Sequence, residues 1–354
     1  MKRFVLSLLF LFQFFVFSFD LEATRIAVIY AGVGDREAAQ RIHIACENLG
    51  IDCELYEFEW GIVDNFDYEK VEMFKPDFIL TTTNTCITPM PSCAPNYGVL
   101  YLPSTYYSES NTFLKRQMNE LLSSLSDFDG LITTSSIPPK NSLIQCDIHS
   151  LLLPFRWYPT AQDRGEYVSE PKSLFYCGSN WDKTRNSKKF KQVFKNLSKN
   201  NYFNIYGPKE AWKHLLHVYK GYIPSDGENL LEVMSQHGIA LILHPVEYIQ
   251  EGVPTGRIFE TVAAGCICIC DRNPFVQEFF GDNVLYIDES ASSHTITRQI
   301  NEHMQWIYQN PQEAKEKAAR AQQIFRECFL LEDQINNLVR WHLNQNKRSK
   351  AIFR

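Results

Sequence analysis

The chain has 354 residues, of which 45% are hydrophobic and 21% charged, and its formal net charge is −6. That length suits two α/β cores of about 150 residues each, and the apolar content is that of a folded protein rather than a disordered one. An acidic balance without a long stripe of Lys and Arg speaks against nucleic acid as a partner, because phosphate neutralisation needs clustered positive charge.

Lys2 and Arg3 precede a largely apolar run from Phe4 to Phe19. A positive start followed by an apolar stretch shorter than the ~20 residues of a membrane span reads as a signal peptide over 1–23, with an uncleaved membrane anchor as the alternative. The expected location is therefore the secretory pathway, the periplasm or a membrane surface, with membrane association through residues 4–19. The cysteines do not settle the compartment. Cys86 and Cys93 flank a Pro-rich loop and form a disulfide or stay as two free thiols, and no C-x-x-C pair or histidine cluster suggests a metal site.

From Arg25 onward strand and helix patterns alternate, the order that builds parallel sheets covered on both faces. Arg25–Tyr30 is an apolar strand, followed by a glycine-bearing loop, Ala31-Gly-Val-Gly-Asp35, and a helix over Arg36–Leu49. Strands at Cys53–Phe58, Asp77–Thr81, Tyr97–Leu102, Gly130–Thr134 and Ser150–Leu153, with a helix over Leu114–Leu125, complete a first Rossmann-like unit, 24–160. The polar stretch around Trp157–Pro171 reads as an interdomain linker, with 161–172 as its core. The basic run Lys183–Lys195 reads as the solvated face of a helix.

A second unit covers 173–330. Its strands are Ser173–Tyr176, Phe203–Tyr206, Ile239–Leu243, Cys266–Cys270 and Val284–Ile287, and its helices are Ser187–Leu197, Asn229–Gln236 and Arg257–Ala264. Cys266, Cys268 and Cys270 act there as small hydrophobes in a buried strand. Asn310-Pro311-Gln312-Glu313 is a helix start, and helical periodicity continues to about His342, with 331–354 as terminal helix and tail. The fold class expected is α/β, two Rossmann-like domains facing a cleft.

Chemistry concentrates between Leu243 and Gly265. A strand end at His244 leads through a Gly- and Pro-rich loop, with Gly252, Thr255 and Gly256, into a short helix that carries Arg257 and Glu260 on one face. Thr255 is placed to cap that helix and Gly265 to end it in a left-handed turn. The free N–H groups at its start attract phosphate, Arg257 suits a diphosphate, and Glu260 suits ribose hydroxyls. The alternative is an ordinary surface ion pair between Arg257 and Glu260. In the first unit Gly32-Val-Gly34 lacks the third glycine of a dinucleotide fingerprint, and Asp35 is the acid at the first strand end. It is a candidate general base, or else a helix N-cap.

The stretch from Arg257 onward resembles the C-terminal domain of group 1 glycosyltransferases, and within them the spore-maturation type. The shared positions are Arg257, Phe259, Glu260, Ala263, Gly265, Asp271, Arg272, Pro274, Glu278, Phe279 and Phe280, supported upstream by Phe175–Trp181 and Tyr206-Gly-Pro208. This resemblance implies the two-domain GT-B fold, with C-terminal helices crossing back to the N-terminal lobe. It also implies a nucleotide-sugar as co-substrate, no other cofactor, no metal, and a glycan, lipid or protein acceptor bound by the N-terminal lobe. By the same resemblance Gly178, Ser179 and Asn180 line the donor diphosphate, Glu260 holds the ribose, and His244 sits near the donor. One departure concerns Glu251: retaining members often carry two glutamates separated by seven residues, the first near the sugar and the second at the ribose, whereas here Glu251 and Glu260 have eight residues between them, which speaks against Glu251 as a sugar contact. The other function class open to this chain is a non-catalytic bilobed sugar- or solute-binding protein.

Overall fold

The computed structural model describes residues 24–58, 66–82, 89–107, 121–135, 148–179 and 182–352. The residues expected as a signal peptide or anchor, Cys86, Asn180 and most of the helix expected over Leu114–Leu125 lie outside them. Two six-stranded sheets carry the chain, and the paired strands in both run parallel.

The first sheet contains β1 (Arg25–Ala31), β2 (Asp52–Phe58), β3 (Phe78–Thr81), β4 (Asn96–Leu100), β5 (Gly130–Thr133) and β6 (Leu152–Arg156), in the order β2-β1-β3-β4-β5-β6. Its inner strands β1, β3 and β5 are largely apolar runs because both faces are covered, whereas the edge strand β2 alternates exposed Asp52, Glu54 and Glu57 with buried Cys53, Tyr56 and Phe58. Along β1, Ile26, Val28 and Tyr30 pack on one side while Ala27, Ile29 and Ala31 pack on the other. The first helices are α1 (Gly32–Asn48) and α2 (Tyr68–Phe74).

The expected glycine loop after β1 does not form. Gly32 turns the chain at φ 62°, a conformation open to glycine, and α1 runs directly from it. The expected strand Ser150–Leu153 is also displaced: Ile148–Leu151 is one helical turn, and β6 begins at Leu152.

The second sheet is built from β7 (Ser173–Cys177), β8 (Phe203–Tyr206), β9 (Tyr219–Gly221), β10 (Gly238–Ile242), β11 (Ile267–Asp271) and β12 (Leu285–Ile287), ordered β12-β11-β10-β7-β8-β9. Around it lie α3 (Lys188–Leu197), α4 (Asn229–His237), α5 (Val246–Glu251), α6 (Gly256–Ala263), α7 (Pro274–Phe280), α8 (Ser293–Gln309), α9 (Pro311–Cys328) and α10 (Leu331–Ile352). The segments β9, α5 and α8 were not expected from the sequence. Caps fix several helix starts: Ser187 accepts from the Phe190 N–H, Ser292 from Thr295, and Asn273 from Phe275 with Pro274 at the first helical position.

The chain passes between the lobes twice, and the two crossings are hydrogen bonded to each other. Thr160 donates to the Phe329 carbonyl at 2.7 Å, the Leu331 N–H to Ala161 at 3.1 Å, and the Tyr158 N–H to Gln334 at 2.5 Å. The stretch expected as a linker is thus a packed strap, with Trp157, Ala161 and Gln162 buried. Beyond it α10 lies on the N-terminal lobe, where Leu331, Ile335, Leu338 and Val339 join the core under β1, β3 and β4. The Tyr97 hydroxyl and His342 Nδ1 are bonded at 2.8 Å there. Two parallel-sheet Rossmann-like lobes with a returning terminal helix is the architecture that the sequence implied.

Candidate functional site

The second sheet begins in its middle at β7, winds outward through β8 and β9, then returns to place β10 on the other side of β7. At such a reversal the following connections leave on opposite faces, and a crevice opens beyond the carboxyl ends of the two central strands. A cavity of about 410 Å³ lies there. Tyr176, Cys177 and Gly178 line it from β7, Leu243 and Pro245 from the end of β10, and Thr255, Gly256, Arg257 and Glu260 from α6, with Ser179, Arg185 and Tyr248 completing the wall.

Local structure fixes each part of this wall. The Gly178 N–H donates to Tyr206 at 3.2 Å, and its carbonyl accepts from Trp212 Nε1 at 2.8 Å. Gly207 approaches so closely, at φ 130°, that a Cβ there would stand 2.5 Å from the Gly178 oxygen. Arg185 lies in the turn before α3, where Asp182 accepts from its backbone N–H at 2.8 Å and from its guanidinium Nε.

Helix α6 buries Ile258, Phe259 and Val262 in the core, against Phe275 and Phe329 among others. Thr255 precedes it in extended conformation without the expected side-chain capping bond, so its own side chain leaves the first N–H groups open. A side chain on Gly256 would meet the Pro159 carbonyl at 2.9 Å. The helix closes at Gly265, φ 62°, as expected, with the backbone of Tyr167 against it.

The ion pair between Arg257 and Glu260 exists, but it is no surface pair. Glu260 is 7% exposed, and each of its oxygens meets a different guanidinium. Arg257 Nη1 stands 2.5 Å from Oε2, and Arg41 Nη1, from α1 of the other lobe, stands 2.5 Å from Oε1. The Arg257 contact is close without being an aligned hydrogen bond, since neither atom finds a bonding partner. Arg41 is 3% exposed and is also held by Glu37 Oε1 at 2.8 Å and by the Gly227 carbonyl at 3.4 Å. Burial alone would push the Glu260 carboxyl up, but Arg257 and then Arg41 outweigh it and hold it below its ordinary value. Burial pushes Glu37 up in spite of Arg41.

Gly178, Ser179, Thr255, Gly256, Arg257 and Glu260 are therefore brought to one cavity. Three other expected site residues are not among its lining residues. His244 is sealed in the core, where its ring Nδ1 donates to Asp271 Oδ1 at 2.8 Å and its backbone N–H to Oδ2 at 2.5 Å. Gly252 ends α5 at φ 62° and packs near Pro274. Asp35 sits in the first turn of α1, not at its cap, and accepts from the Tyr101 hydroxyl at 2.8 Å. Asn180 lies outside the described residues. Among those described, the one group with metal-ligating atoms close together is His244, Cys270 and Asp271, and all three are buried in the core.

Sequence reasoning missed Arg185, which was absorbed into a basic run read as helix surface, although it precedes the Ser187 cap and its side chain is 14% exposed. It also missed Arg41. Glu251 likewise turns to the other lobe, accepting from the Ser104 and Thr105 N–H groups at 2.6 and 2.9 Å. Chemically, two guanidinium groups and an uncapped helix start converge on the cavity. They suit a polyanion, and the carboxylate beside them suits hydroxyl donors.

Residues 185–340 match the family model described as glycosyl transferase-like. That span contains α6, Arg185 and every cavity residue beyond Ser179. No curated protein matches this chain in sequence. Among solved structures, sucrose-phosphate synthase from Thermosynechococcus elongatus superposes with a TM-score of 0.53 at 11% identity, over 91% of this chain and 100% of that one. A glycosyltransferase from Rickettsia africae ESF-5 gives 0.50 at 10% identity, over 90% and 98%. TarM gives 0.48 at 12% identity over 78% of this chain, which spans only 57% of the length of TarM. At these identities the likeness is one of fold, and the fold is the GT-B arrangement of two facing Rossmann-like domains.

Proposed function

We propose that the protein is a glycosyltransferase that moves a sugar from a nucleotide-sugar, bound in the cavity at the β7–β10 reversal, to an acceptor presented by the N-terminal lobe. The observation that carries this reading is the convergence of Arg185, Arg257 and the start of α6 beside Glu260, inside the segment that matches the glycosyl transferase-like model. The guanidinium groups and helix N–H groups would take the diphosphate and stabilise the charge that develops on it as the leaving group. Glu260 would accept from the ribose hydroxyls. Since fixed cations already face the diphosphate, transfer would proceed without a divalent metal and with no further cofactor.

Within group 1 glycosyltransferases, the run Asp271-Arg272-Asn273-Pro274 favours the spore-maturation subgroup. A glycan, lipid or protein is the acceptor class we infer, and a secretory, periplasmic or membrane-bound site of action follows from the apolar leader. Asp35, held by Tyr101 on the N-terminal lobe, is the proposed base should the reaction invert.

Calorimetry with UDP, GDP and ADP, each beside its nucleoside, tests the donor site. Glu260→Gln should weaken the nucleotide that binds by about 10- to 100-fold, through loss of charge-assisted bonds to two hydroxyls. Arg257→Ala and Arg185→Ala should weaken the diphosphate much more than the nucleoside. Affinities that are equal across wild type and all three variants would remove the donor from this cavity. A screen of sugar donors for released nucleoside diphosphate, with and without chelator, then reads the reaction itself.

A further inference from the structure

Resting on the reading of Glu260 as the ribose acceptor, we propose that Arg41 is an intramolecular competitor for that carboxylate, which latches the two lobes together and must let go before a nucleotide binds. Of the carboxylate that should receive the ribose, Oε1 accepts from Arg41 at 2.5 Å, while Oε2 lies 2.5 Å from Arg257 without an aligned bond. Glu260 is 7% exposed and Arg41 3%, so the Arg41 guanidinium fills the place at Oε1 that a ribose hydroxyl would need. Arg257 belongs to the same helix as Glu260 and travels with it. Arg41 belongs to α1, on the other lobe.

Release has a prepared route. Arg41 already shares its Nη2 with Glu37, one turn earlier on its own helix, at 2.8 Å. On losing Glu260 the guanidinium keeps that partner, and Glu37, whose side chain is 22% exposed, reaches water. The remaining tie to the other lobe is a 3.4 Å bond to the Gly227 carbonyl. Arg41 therefore has two stable settings, latched on Glu260 or parked on Glu37, and the donor ribose selects the second. A ligand that binds only the unlatched state has its affinity reduced by the fraction of molecules that are unlatched.

The test is titration calorimetry of the intact protein and Arg41→Met with UDP, GDP and ADP. Met keeps much of the buried stem and withdraws the guanidinium. The nucleotide that binds wild type should bind Arg41→Met more tightly, by about tenfold if one molecule in ten is unlatched at rest. Equal or weaker binding in the variant overturns the latch while leaving the donor site standing. Absence of binding by all three nucleotides to both proteins would instead remove the donor site, and the latch with it. Should Arg41→Met fail to fold, Arg41→Lys, which keeps the charge but not the two-pronged geometry, is judged by the same criterion.

Discussion

His244 and Asp271 are sealed together in the core, where the His244 ring Nδ1 and the His244 backbone N–H donate to the two oxygens of one carboxylate. Burial would pull the imidazole down, but the adjacent Asp271 outweighs it and carries the His244 pKa up to about 10. A folded-state pKa above the unfolded value means that folding favours the protonated form. The stabilisation is then complete below pH ~6.5, falls as pH rises, and is gone above the folded value of about 10. Urea denaturation from pH 6 to pH 10 should show wild type losing on the order of a few kcal/mol relative to His244→Gln. A constant difference across that range would mean that the ring is neutral in the fold. In the sequence, a histidine at a strand end beside a Gly- and Pro-rich loop looked like a site residue, because nothing in the local pattern reveals a carboxylate on the neighbouring strand. Arg41 was hidden for the same reason: its partner Glu260 is 219 residues away.

At the level of elements, the position of α6 depends on how it stops. Gly265 takes φ 62°, and a Cβ added there would stand 2.3 Å from the Tyr167 carbonyl, a backbone atom with little room to move. Gly265→Ala should therefore cost more than the usual 1 kcal/mol of a left-handed alanine, roughly 2–4 kcal/mol, and should weaken nucleotide binding by shifting Arg257 and Glu260. Chemical denaturation and calorimetry on one preparation read both effects; a variant as stable as wild type would mean that the strap yields freely. This glycine was legible in the sequence, as were the parallel strands, because strands buried on both faces are unbroken apolar runs. Helix α8 was not, since its core residues Ile296, Ile300, Met304 and Ile307 are a thin stripe among polar ones. Short α5, bounded by Pro245 and Gly252, passed for loop. The cavity itself was half legible. Residues contiguous with α6 could be read from spacing, whereas Arg185 needed the knowledge that its turn faces the reversal between β7 and β10.

Across the whole molecule, the N-terminal lobe does not finish its own core. Leu331, Ile335, Leu338 and Val339 of α10 lie between β1, β3 and β4 and solvent, and burying each such side chain is worth about 1.5–3 kcal/mol. A chain ending at Leu330, which keeps Phe329 in the second core, should lose the N-terminal lobe to limited proteolysis while the second sheet, whose two faces are covered by α3, α4 and α6 to α9, stays protected. Equal protease resistance of both lobes would show that α10 is an accessory.

The same arrangement sets the order in which this protein can mature. Asn48 meets Glu332 across 284 residues of chain, a distance that a ribosome covers in roughly 15–60 s at 5–20 residues per second. The half that is synthesised first is thus the half that folds last. Until α10 has left the ribosome, the nascent N-terminal lobe presents an open apolar face over β1, β3 and β4, a surface that a chaperone would have reason to hold. A stop codon between Leu331 and Val339 would spoil a lobe encoded about 300 residues upstream of it.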